Sequence, residues 1–333
     1  MGNVSERKGF DSMHFDAMTG SYDPQRPVSL QKSLGILRRG LGDPTIRLTE
    51  AEAWLAFASP FGDATLRITK HSLNSAAHCE AWGAGAPWAI KHAPDLLGAS
   101  DDWSGFDEPD FFSSLPELVQ HQRVLHRDLV LPRTNRIFDH AAGAILEQRV
   151  TGIEANYAWR WLIRHHGRPA PGPAPQGLAL FPRPEELARL KRWDWQAARV
   201  EQQRAQALGR LAVAASRLEW WAARDLRAEK PHTSGAGTIE SALLSLPGVG
   251  PWTVAETLQR SHGSPDHISV GDYHLAGFVG QVLIGRRVDD LKMLELLQPF
   301  SDHRQRVIRL LQLSGQKKQS FGPRYAPLDH RGR

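Results

Sequence analysis

Between residues 45 and 82 apolar and polar positions alternate; beyond residue 86 apolar positions recur every three or four. Segments 45–49 and 64–69 alternate, 53–57 is apolar and aromatic, and 77–82 makes a fourth candidate strand. A period of two marks half-buried strands. Asp43-Pro44 and Phe61-Gly62-Asp63 supply turns. The pattern predicts a small antiparallel sheet with one face on a core and one in water. The longer period predicts helices over 87–97, 115–128, 137–150, 153–166, 184–190, 196–219, 239–246, 252–261, 273–284 and 289–313. The fold class is therefore α+β, a small N-terminal antiparallel β-sheet domain followed by a mostly α-helical domain.

Domain limits follow from composition. Residues 1–26 are polar with scattered Gly and Pro and are expected to be disordered. Residues 27–112 make the β-rich domain, 113–315 the all-α domain and 316–333 a basic C-terminal tail. Inside the helical part, residues 167–184 hold six prolines and three glycines, which predicts an extended linker or insertion.

Charge and cysteine narrow the chemistry. The net charge is +5 over 333 residues, which suits a polyanionic partner without establishing one. Residues 93–118 carry seven acids and no Lys or Arg, while residues 302–333 carry eight bases and two acids. The acidic stretch is expected to face away from any nucleic acid. The tail either faces it or is a solvated end. The single cysteine, Cys79, excludes an internal disulfide and a cysteine-ligated zinc or iron–sulfur site. No apolar run is long enough to span a membrane and no secretion signal is evident. The expectation is a soluble monomer in a reducing, cytoplasmic compartment.

The most informative stretch is 239–280. An apolar helix runs into Pro247-Gly248-Val249-Gly250-Pro251, and a second helix starts at once. Two glycines around one small apolar residue allow a tight turn with unusual backbone angles. Gly248, Val249, Gly250 and Thr253 would offer backbone N–H groups and a helix dipole to a phosphate, with Val249 plugged into the core. Such donors position DNA without reading its sequence. An ordinary helix–helix turn is the alternative. Twenty-two residues beyond Gly250 lies Asp272, in Val270-Gly271-Asp272-Tyr273-His274. An acid there is a helix N-cap or a catalytic carboxylate.

The strings LPGVGPWTVAETL and HISVGDYHLAGFV resemble the helix-hairpin-helix DNA glycosylase superfamily, and within it the bacterial 3-methyladenine DNA glycosylase II branch. GDPTIRL resembles that branch's small β domain, FDHAAGAILEQRVTGIEA its first DNA-facing helices and PFSDHRQRVIRLL its last helix. The resemblance spans roughly residues 27–313.

The resemblance implies base-excision repair on double-stranded DNA carrying an alkylated or otherwise damaged base. The base is flipped out of the stack. Asp272 would stabilise the positive charge that develops on the sugar as the N-glycosidic bond breaks. Trp252 stands where bifunctional relatives carry a nucleophilic lysine, and tryptophan forms no Schiff base. Base removal without strand cleavage is therefore expected. Trp252, Glu256 and Tyr273 are the candidate base pocket, with a core tryptophan as the other reading of Trp252. Arg149 is the candidate wedge into the gap left by the flipped base, or a phosphate contact, or one arm of a surface salt bridge. No cofactor is required; a monovalent cation at the hairpin is the one ion entertained. Glu256 and a last helix without aromatic residues depart from the branch, and Trp193-Asp194-Trp195 has no assigned role. Two readings compete with an active glycosylase: a DNA-binding hairpin scaffold without chemistry, and a structural helical protein.

Overall fold

The computed structural model describes residues 17–225 and 237–316. Five strands form one antiparallel sheet: β1 (Met18–Tyr22), β2 (Ile46–Leu48), β3 (Glu52–Ser59), β4 (Gly62–Thr69) and β5 (Ala77–Trp82), in the order β1-β5-β4-β3-β2. Leu55 pairs with Leu66 and Leu66 with Ala81. That register places Ala53, Leu55, Phe57, Leu66, Ile68 and Cys79 on one buried face, in one core with α1 (Leu30–Leu34) and α2 (Ala86–Leu96). Burial there pushes the Cys79 thiol up to about 11, so it packs as a small apolar side chain and supplies no nucleophile.

Two sequence expectations change in this region. Strand β1 lies inside the segment expected to be disordered. It pairs with β5 from Met18↔Ala81 to Tyr22↔Ala77. An edge strand held by main-chain hydrogen bonds needs no hydrophobic period, so its polar residues give no signal. Residues 1–16, and the basic tail from 317 onward, lie outside the described residues.

The second change concerns the outer face of the sheet, which is dry around Trp54 and Trp82 and open toward Arg67, Glu80 and His78. Trp54 and Trp82 stack there with centroids 5.5 Å apart, in a core completed by Ala56, Leu178 and Leu180. The cover is the Pro/Gly-rich segment read as a linker. Its short strands β6 (Arg168–Pro169) and β7 (Ala179–Leu180) pair with each other. Ala179 N–H donates to Pro44 O (2.8 Å), and Thr65 Oγ1 donates to Pro171 O (2.7 Å). Two large aromatics on one face of a sheet gain more by burial than a wet face allows.

The helical remainder has two cores. The first joins α5 (Phe138–Glu147), α6 (Gly152–His166), α9 (Gln202–Asp225), α10 (Ile239–Leu244) and α11 (Pro251–Ser261). Around it lie α7 (Pro184–Ala188) and α8 (Arg192–Ala197). Trp195 packs against this core while Trp193 is exposed. The second core joins α4 (Glu117–Leu125), α12 (Leu275–Ile284), α13 (Asp290–Leu297) and α14 (Arg304–Leu313), with Trp103 and Phe106 inside. Helix α3 (Pro109–Ser114) flanks it. The period read over 196–219 breaks between α8 and α9, where Arg199 takes a left-handed conformation (φ 59°). That over 289–313 breaks at a 3-10 turn, Gln298–Phe300, which contains a proline.

The acidic stretch has a structural role. Asp101 is buried and accepts from Leu131 N (2.7 Å), Trp103 Nε1 (2.6 Å) and Arg306 Nη2 (2.7 Å). Asp107 pairs with Arg123. Among the described residues no helix is long and apolar enough to cross a membrane.

Candidate active site and nucleic-acid interface

The hairpin forms where the glycine spacing predicts. Helix α10 ends at Leu244, and Val249 N–H donates back to Leu246 O (3.0 Å). Gly248 has φ +94°, and a Cβ there would stand 3.0 Å from the Ala207 Cβ, so both its conformation and its contact with α9 require glycine. Val249 is buried in the first helical core. Gly250 is extended and precedes α11, whose first residue is Pro251. Gly250 contributes no side chain to cap α11, so the helix opens on backbone donors and its positive dipole end.

Thr253, placed by the sequence among the phosphate-facing residues, is turned inward. It is buried, and its hydroxyl accepts from Gln148 Nε2 (2.8 Å). The same amide donates to Gly248 O (2.9 Å). Gln148 thereby clamps the α5–α6 turn to the hairpin. The next residue, Arg149, is exposed with φ +54°. Among the described residues no carboxylate pairs with Arg149, so the surface salt bridge is not formed and its guanidinium is free to meet a ligand. The sequence motif contained Arg149 but gave no reason to single out Gln148.

Two of the turn's carbonyls already have side-chain donors: Pro247 O accepts from Arg210 Nη1 (3.1 Å) and Gly248 O from Gln148.

Asp272 follows the loop after α11. Gln259 Nε2 fastens that loop by donating to His267 O (3.0 Å) and Ser269 Oγ (3.1 Å). Gly271 N–H donates to Asp290 Oδ2 (3.1 Å). Asp272 Oδ1 accepts from the N–H groups of His274 and Leu275, both at 2.9 Å. It therefore caps the first turn of α12, which begins at Leu275 rather than at Tyr273. Oδ2 takes no partner among the described residues. The two readings of this acid thus use different atoms: one oxygen fixes the carboxylate, and the other remains available.

The three candidate pocket residues have different surroundings. Trp252 is half-buried in the first turn of α11 and belongs to none of the buried cores, so it is not a core tryptophan. Tyr273 is 79% exposed, its ring edge-to-face with His274. This follows from α12 starting late, which leaves Tyr273 in the turn. Glu256 lies in a closed ionic seam. Its Oε2 accepts from Arg260 Nη1 (2.7 Å) and its Oε1 from Ser269 Oγ. Burial pushes the Glu256 carboxyl up, but the Arg260 charge and the two hydrogen bonds outweigh it and hold it below the usual range. The Glu256 charge is thus paired with Arg260 inside the protein.

Arg260 Nε also donates to Ile36 O (3.0 Å) and Arg309 Nη2 to Lys32 O (3.1 Å). Burial, with Arg260 nearby, pushes Arg309 down to about 10. Arg39, paired with Glu147, extends the charged region onto α5. The seam runs between the sheet domain, α5, α11 and α14. The (i, i+4) spacing of Glu256 and Arg260 is the one signal of it in the sequence.

No protein-family model matches the chain, and no curated protein sequence does. Solved structures do share its fold. The 3-methyladenine DNA-glycosylase from Archaeoglobus fulgidus is 13% identical, with a TM-score of 0.65 over 89% of this chain and 98% of that one. The apo form of the Clostridium acetobutylicum 8-oxoguanine glycosylase/lyase is 11% identical, with a TM-score of 0.62 over 86% of this chain and 92% of that one. The same enzyme in complex with double-stranded DNA containing cytosine opposite 8-oxoG gives 12% and 0.63, over 90% and 97%. The chain has the fold of these DNA glycosylases, and at such identities the likeness extends to the fold alone.

Proposed function

We propose that the chain is a monofunctional DNA glycosylase of base-excision repair, acting on duplex DNA that carries an alkylated or otherwise damaged base. The observation that carries the reading is Asp272, held by one oxygen on the N–H groups of His274 and Leu275 at the entry to α12, with the other oxygen unpartnered among the described residues. A carboxylate so fixed costs no reorganisation when positive charge develops on the sugar. The fold it shares with DNA glycosylases and the donor-opened α11 next to a free Arg149 support the rest. In this reading the hairpin holds the backbone, Arg149 fills or flanks the gap left by the flipped base, and Trp252 offers an aromatic surface to it. N-alkylated purines are the preferred class, because their positive charge weakens the bond and favours aromatic contact.

The test is a set of defined lesions in duplex DNA, scored for free base with wild type and Asp272→Asn. Base release by wild type alone supports the reading. DNA binding without release of any base makes the chain a scaffold. Trp252 adds a second arm: the expected product is an intact abasic strand, and borohydride trapping of a covalent enzyme–DNA adduct would overturn the monofunctional assignment.

A further inference from the structure

Helix α9 carries an exposed stripe at helical spacing: Gln206, Arg210, Val213, Arg217, Trp220 and Arg224. None of the six is acidic, and the arginines recur every seven residues, so they lie on one side of the helix. Val213 is 85% exposed and lies between Arg210 and Arg217 on that side. Arg224 lies against the Trp221 ring at 4.8 Å. Arg217 has no partner among the described residues.

The stripe is continuous with the hairpin. Arg210, Val213 and Arg217 line a groove of about 760 Å³ whose other wall is Ser245, Leu246 and Pro247. Arg210 bridges the two walls through Pro247 O. A phosphate strand held at the start of α11 therefore has a cationic groove beside it. From Arg210 to Arg224 the helix advances about 21 Å at 1.5 Å per residue, roughly the span of six nucleotides of B-DNA at 3.4 Å each.

We infer that α9 is a backbone track for duplex DNA flanking the lesion, in which Arg217 and Arg224 each neutralise a phosphate and Val213 and Trp220 pack against deoxyribose. This rests on the DNA-binding reading above and extends the interface beyond the hairpin. The contacts read no base, so the track adds affinity and not lesion choice.

The test is the salt dependence of binding by full-length wild type and by Arg217→Gln/Arg224→Gln. One lesion duplex extends about 20 base pairs on both sides; the other stops about three base pairs from the lesion. On the long duplex the double variant should lower the slope of log K against log salt by about 1.8, at ~0.9 per phosphate. On the short duplex it should match wild type, and single-turnover base release at saturating enzyme should not change. Arg217→Lys/Arg224→Lys should restore the slope. An unchanged slope on the long duplex, or an equal loss on both, overturns the track. An Arg149→Gly variant measured alongside separates the two readings. If Arg149→Gly weakens binding and the α9 variant does not, the track falls and the DNA-binding reading stands. If wild type binds no duplex, both fall.

Discussion

Asp272 allows catalysis and stability to be separated with two substitutions. Its Oδ1 accepts from the N–H groups of His274 and Leu275, at the entry to α12, and its charge faces the positive end of that helix. Asp272→Asn keeps a carbonyl oxygen for the cap and removes the charge. Removing the charge costs about 0.3–1 kcal/mol of dipole interaction. Asp272→Ala also removes the cap, for about a further 0.5–2 kcal/mol. In a domain of 150–250 residues 1 kcal/mol moves Tm by about 2–4 °C, and this longer chain should move less. The expected stability order is wild type, then Asn, then Ala. Activity should behave differently. If the carboxylate stabilises the charged sugar, both variants should lose about 10²–10⁴-fold in single-turnover base release and differ little from each other. Thermal unfolding by circular dichroism and release of free base from one lesion duplex give the two orders. Wild-type release by Asp272→Asn would refute the catalytic role. Loss of activity in step with loss of Tm would reduce Asp272 to a cap.

Three further outcomes are expected. Arg149→Gly relieves a left-handed non-glycine residue and should stabilise the fold slightly, by about 1 kcal/mol or less, while weakening binding to lesion duplex in a fluorescence titration; unchanged binding and unchanged release would remove Arg149 from the interface. Glu219 accepts from Ile137 N and Phe138 N, and burial pushes its carboxyl up to about 7. Between about 4.5 and 7 the native state then holds a proton that the unfolded chain has released, so this group's contribution to stability falls as pH rises through that window, on the order of 3 kcal/mol at full expression; Glu219→Gln should flatten that part of a urea-denaturation profile, and an unaltered profile would count against the buried carboxyl. Glu256→Gln leaves Arg260 buried without its partner and should cost about 3–5 kcal/mol. Because the folded carboxyl is held low, the wild-type contribution is present above the ordinary carboxyl range and is lost as pH falls through the folded value, a loss the variant should not show. A stable Glu256→Gln variant with altered lesion choice would instead make Glu256 a pocket group.

Strands β2, β4 and β5 were legible from alternation and β3 from its apolar run, and the hairpin because its glycines suit a tight turn. What sequence periodicity could not show was structure held by other means. Strand β1 is held by backbone bonds. Thr253 turns inward because Gln148, 105 residues earlier in the chain, takes its hydroxyl. Glu256 reads as a pocket acid until Ser269 and Arg260 are seen to occupy both its oxygens. Asp272 was legible as a cap or a catalytic group, and the two turned out to be compatible. Arg210, Arg217 and Arg224 stand seven residues apart in the sequence, but that spacing acquires meaning only once Arg210 is found on the hairpin.

The segment that covers Trp54 and Trp82 has a consequence for how the molecule can come apart. Arg168 and Arg183, on either side of that cover, both bind Asp63 on β4. The sheet is thus finished by residues that follow it by about a hundred positions, downstream of α6. A ribosome that has released only the first 120 residues has made every strand of the sheet but not its second face. The sheet should therefore gain its stability late in synthesis, and heat should unfold sheet and helices in one transition rather than two.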